Sequence, residues 1–198
     1  MVDRSGAFDA FEKHVKRRVR PHLQELARDV FQEAKDIMIQ EVLSHPVSVE
    51  LSQRTGNSKF LSGARGSLYG FLGFNDGYDP ISHLVNYLRQ KVKFKPGVIT
   101  GRKGDIRLNT IIEVPSNEDF NKDGRFRLPW ESGKSWPIAV ETGVSGLPYY
   151  LNYNVEGVSR SGGGIQIKSR RKGRFTEFAG TSYLTPIFKE FRVRVIGR

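Results

Sequence analysis

Apolar residues recur at steps of three and four from near the start of the chain: Phe8, Phe11, Val15, Val19, Leu23, Leu26, Val30, Ala34 and Ile37, then Met38 and Val42. That spacing is the period of one helical face, so the opening segment is expected to be helical. Pro21 interrupts the run. Lacking an N–H and clashing with the preceding turn, it either opens a second helix or kinks one long helix. The expected helices cover about 6–19 and 21–44, stopping before "SHPVS". Charge is polarised along them. "EKHVKRRVR" carries five cations against one anion, whereas Glu25, Asp29, Glu33, Asp36 and Glu41 outnumber Arg28 and Lys35. A helix with one basic and one acidic end can pair head-to-tail with copies of itself, and ordinary solvated decoration is the alternative.

The next stretch, "LSQRTGNSKFLSGARGSLYGFLGF", begins with small polar residues and glycines and ends in Leu68, Phe71, Leu72 and Phe74. An extended Gly-rich arm over 46–75, closing in a short apolar strand, is expected. "NDGYDPISHLVNYLRQKV" reads as a turn and a helix. Asp79 is its N-cap, Pro80 its first residue, and Ile81, Leu84, Val85 and Leu88 its apolar stripe. From Val92 the period changes to two. Val92/Phe94 and Val98, a Gly-Arg-Lys-Gly turn, then Ile106/Leu108 and Ile112/Val114 predict a hairpin with one buried face. "PSNEDFNKDGRFRLPWESGKSW" reads as a polar connection, and "LPYYLNYNVEGVS" with "GGGIQIKS" as a second strand pair. The closing "TSYLTPIFKEFRVRVIG" opens like a capped helix at Thr185–Pro186, although "FKEFRVRVI" alternates well enough for a strand.

The sum is an α+β chain with one domain over 1–198. A helical segment occupies 1–45, the arm 46–75, and a helix plus antiparallel sheet with a C-terminal helix 76–198.

Net charge is +11, from 32 Lys and Arg against 21 Asp and Glu. Residues 1–45 are neutral, whereas 157–198 hold ten cations against Glu177 and Glu190. Such a patch suits a polyanion or an acidic protein partner, or is a solvated basic face. Its densest part, Lys168, Arg170, Arg171, Lys172 and Arg174, follows "SRSGGG". The glycines match neither phosphate-loop pattern, and "IQIK" continues as strand rather than helix, so they are expected at a hairpin tip. A sequence-specific DNA reader would need a recognition helix or zinc module.

The chain has no cysteine, which excludes disulfides and thiolate chemistry. His14, His22, His45 and His83 do not fall in metal-ligand spacing, and no Gly-x-Ser-x-Gly elbow occurs. Glu118/Asp119 and Asp76/Asp79 lie in turn-like sequence, where capping explains them. A binding or assembly role without a cofactor is therefore expected over an enzymatic one. No segment has the apolar length to span a bilayer, and a soluble chain is expected.

The order of these pieces resembles the tail-completion and neck proteins of tailed bacteriophages. The matching parts are Thr55–Gly56 with Leu61 in the arm, the strand Tyr150–Gly157, and Tyr183–Phe188 at the closing helix. The long arm and the helix over 80–91 depart from that pattern, which leaves tail terminator, head-tail connector, tube adaptor and sheath-stabilising ring as alternatives. The resemblance implies a virion ring subunit, typically one of six, made in the host cytoplasm and placed between head and tail. Its neighbours would be connector, tail-tube or sheath proteins. Lys168, Arg170, Arg171, Lys172 and Arg174 become candidate contacts to packaged DNA or an acidic partner. Lys13, Lys16, Arg17, Arg18 and Arg20 on the helix, and Arg54, Lys59, Phe60, Leu61 and Arg65 on the arm, become candidate intersubunit contacts. The alternative from another class is a sequence-independent nucleic-acid-binding protein that uses the basic hairpin and Lys13–Arg20.

Overall fold

One α-helix, α1 (Arg4–Ser44), runs through Pro21 without a break, so the single-helix option holds. The computed structural model describes residues 4–53, 68–75, 77–100, 106–128, 133–142, 149–152, 165–168 and 182–197. Beyond α1 these form α2 (Pro46–Gln53), α3 (Leu68–Phe71), α4 (Pro80–Lys91), β1 (Lys93–Thr100), β2 (Arg107–Glu113), α5 (Asn117–Lys122), a 3-10 turn (Gly124–Phe126), α6 (Trp136–Thr142), β3 (Tyr149–Asn152), β4 (Ile165–Lys168) and α7 (Leu184–Ile196). The fold is α+β, and among the described residues the strands form two antiparallel ribbons, β1–β2 and β3–β4.

The apolar run along α1 is two stripes, not one face. Phe31, Ala34, Met38 and Val42 are buried in the core, while Phe11, Leu26 and Ile37 are 64%, 61% and 37% exposed. At about 100° per residue the exposed stripe lies roughly 130° around the helix from the buried one. Steps of three and four satisfy either stripe, so spacing alone merges them.

The arm expected over 46–75 is corrected at both ends. Val47 and Leu51 bury one face of α2, and Leu68, Tyr69, Leu72 and Phe74 enter the core around the single turn of α3, where a strand was expected. Glu50 is buried and its Oε1 accepts the Leu68 N–H at 2.9 Å, which fastens the start of α3 to α2. Residues 54–67 lie outside the described residues.

Helix α4 matches its expectation. Asp79 accepts the Ser82 N–H at 3.0 Å, Pro80 takes the first position, and Ile81, Leu84, Val85 and Leu88 are buried. At its other end Lys35 Nζ, from α1, donates to the Arg89 and Val92 carbonyls at 2.7 and 2.9 Å. A cation there satisfies orphan carbonyls and complements the helix dipole.

The β1–β2 ribbon carries a bulge. Phe94 pairs with Ile112 and Pro96 with Thr110, but Ile99 pairs with Leu108, so β1 gains one residue between them. The inward parity of β1 therefore switches from even to odd: Phe94 and Ile99 are partly buried and Val98, expected inward, is 70% exposed. Gly97 is required at the bulge, because a Cβ there would lie 2.4 Å from the Asn109 carbonyl oxygen. The Gly-Arg-Lys-Gly turn lies outside the described residues.

The "polar connection" holds much of the aromatic core. Ser116 and Asp119 form a capping box that starts α5, with Asp119 Oδ2 accepting the Ser116 N–H at 2.8 Å. That bond turns Phe120 inward, where it meets Phe126 at 5.4 Å and Tyr87 at 5.4 Å between ring centres. Trp136, fully buried, joins Phe74 at 6.1 Å and Tyr183 at 6.3 Å. Residues 136–142 are helix α6. Its Glu141 caps α7 by accepting the Thr185 N–H and hydroxyl at 2.5 and 2.9 Å. The closing segment is thus helix, not strand, and buries Leu184, Ile187, Phe188 and Phe191. The expected second strand pair is present, with Tyr149 opposite Lys168 and Asn152 opposite Ile165.

Candidate assembly surface

Helix α1 is the feature that reaches beyond the core. At 41 residues it extends about 60 Å, yet no described side chain in 10–30 is buried. Its later half is anchored. Phe31 packs on Phe94 at 5.4 Å and on Phe191 of α7 at 5.8 Å between ring centres. Glu41 pairs with Arg194 of α7 at 2.5 Å, and this bond holds the guanidinium above its ordinary pKa. Burial pulls the Lys35 ammonium, which caps α4, below its ordinary value.

The free half carries the helix's candidate contacts. Lys13, Arg17, Arg18 and Arg20 are exposed and Lys16 is partly exposed. Phe11 and Leu26 stand exposed among them, with Val15, Val19, Leu23 and Val30 partly buried on or beside the same stripe. An apolar stripe edged by charge is the composition of a surface that binds another protein. Of the basic hairpin, Lys168 ends β4; Arg170, Arg171, Lys172 and Arg174 lie outside the described residues, as do Arg54, Lys59, Phe60, Leu61 and Arg65. Among the described residues, the structure brings together the helical members of the predicted set.

A second exposed apolar pair lies on the outer face of the β1–β2 ribbon, where Val98 and Ile111 are 70% and 57% exposed beside the Lys95–Glu113 ion pair. Sequence reasoning missed it because the bulge hides the parity of Val98.

His14 and His22 are exposed on α1, and His83 stacks on Tyr78 with ring centres 5.1 Å apart. His45 joins α1 to α2: its Nδ1 accepts the Val47 N–H at 3.2 Å and its ring packs on Tyr183. Burial lowers its pKa, opposed by a backbone hydrogen bond at Ser182. Burial also pushes the Tyr78 phenol up to about 12. Among the described residues no three His, Cys, Asp or Glu side chains are grouped to hold a metal, and no helix is long and apolar enough to cross a membrane.

No protein-family model, curated protein or solved structure matches the chain.

Proposed function

We propose that the chain is a structural protein of the neck or tail of a tailed bacteriophage. In this role it is a tail-completion or tail-terminator-type ring subunit that joins the head or connector to the tail tube or sheath. One observation carries the proposal. The longest element leaves half its length outside the core, with Phe11 and Leu26 64% and 61% exposed on it. Exposed apolar side chains on a projecting helix gain stability only when another chain covers them. A subunit of this kind acts by fitting its neighbours, and closing a ring requires one patch to complement a different patch on the next copy. The resemblance noted in the sequence supplies the class of assembly and the expectation of six copies.

Disrupting the gene tests the role. The expected outcome is filled heads and finished tails that fail to join, with the protein present by mass spectrometry in wild-type particles. Co-expression with connector and tube proteins should give rings visible by electron microscopy. Normally joined particles that lack the protein would sink the proposal.

A further inference from the structure

The exposed stripe of α1 has an internal order that names its own occupant. Val19 and Val30, and Val15, Leu26 and Ile37, recur every eleven residues, close to three whole turns. Such a stripe stays on one side of a straight helix. Place a two-fold axis between His22 and Leu23, and Val15 falls opposite Val30 and Val19 opposite Leu26.

The charges beside the stripe select the orientation. At about 100° per residue, His14, Arg18 and His22 share one flank with Glu25 and Asp29, basic residues first and acidic residues second. The other flank holds Lys13, Lys16 and Arg20, followed by the uncharged Gln24 and Ala27. In an antiparallel pair each flank meets the same flank of the other copy. Arg18 then lies between Glu25 and Asp29 of that copy, and the remaining lysines meet uncharged residues. In a parallel, in-register pair opposite flanks meet: Lys13 faces Arg18 and Arg20 faces Glu25. The one attractive contact is thus cancelled by a repulsive one, whereas Arg18 meets only acids in the antiparallel pair. Arg18, Glu25 and Asp29 are all exposed, and Ile37, 37% exposed, continues the stripe alongside the body.

We infer that the free half of α1 pairs antiparallel with α1 of a second copy, forming a two-fold dimer. The contact is isologous and closes at two copies, so it is separate from any ring contact. It does not rest on the virion role.

Sedimentation of the full chain from micromolar to hundreds of micromolar concentration tests the pairing. A monomer–dimer equilibrium is expected, weakened at least about tenfold by either Leu26→Glu or Arg18→Glu. Adding Glu25→Arg and Asp29→Arg to Arg18→Glu should restore it, which a merely unfolded variant would not do. Because the chain has no cysteine, a spin label at Phe11→Cys reports orientation. The antiparallel register sets the two labels about 34 Å apart along the axis. A strictly monomeric chain, a dimer indifferent to both single variants, failure of the charge-swapped chain to pair, or labels side by side would each overturn the dimer. Loss of the dimer leaves the virion role standing, and absence from virions leaves the dimer standing.

Discussion

A buried glutamate and a half-buried histidine hold the middle of this chain together, and each has a measurable signature. Glu50 accepts the Leu68 N–H at its Oε1 from within the core. Truncating it strands a buried donor, so Glu50→Ala should lower stability by about 1–3 kcal/mol, read from the denaturant midpoint. His45 makes its bond to Val47 through Nδ1 as an acceptor, which requires the neutral ring. Burial keeps its folded pKa below the unfolded value near about 6.5. The unfolded chain then binds the proton first. Stability from this residue is complete above that value and falls as pH drops through it toward the folded pKa. His45→Asn, which keeps a capping acceptor without titrating, should lose less stability than wild type between about pH 7 and pH 5. Equal losses would remove His45 from the pH response.

At the scale of elements, local chemistry was legible wherever one residue type does one job. Asp79 and Pro80 started α4 as their identities dictate, and the second expected strand pair is present over Tyr149–Asn152 and Ile165–Lys168. Three features were not legible, each for a physical reason. The bulge at Gly97 inverts the parity of β1, and a period-two pattern carries no mark of an extra residue. Capping at Asp119 was legible, but not that the Ser116–Asp119 box starts a helix that delivers Phe120 to the core. The two stripes of α1 share steps of three and four, so only the body shows which one it covers. The bulge gives a direct prediction. Gly97→Ala brings a Cβ to 2.4 Å from the Asn109 carbonyl oxygen and should destabilise by about 1–3 kcal/mol, with the ribbon's amides exchanging faster. Pro21 gives the opposite case. It lies inside an exposed helix, so Pro21→Ala should slow amide exchange around it while leaving the global unfolding midpoint unchanged.

The whole molecule is a helical and aromatic body with one helix projecting from it, and the two parts differ in what stabilises them. The body is held by Phe31, Met38, Leu51, Leu84, Phe126, Trp136 and Phe191, which are nearly or wholly buried and come from several separate elements. Its candidate site was half visible in the sequence: charge along α1 marked the projecting helix, but only burial shows that the apolar stripe beside that charge is uncovered. The projecting half sends no described side chain into the core, and an isolated helix of that length is marginal in water. Removing residues 1–22 therefore tests the division. Since no described residue before Phe31 is buried, the shortened chain should unfold within about 0.5 kcal/mol of the intact one at concentrations where the intact chain is monomeric. Its denaturant slope should fall only slightly, because little surface buried by the body is lost. The same chain should neither dimerise through α1 nor join its assembly. If the deletion instead lowered the midpoint strongly, the projecting half would belong to the core, and its exposed apolar stripe could no longer be assigned to a partner.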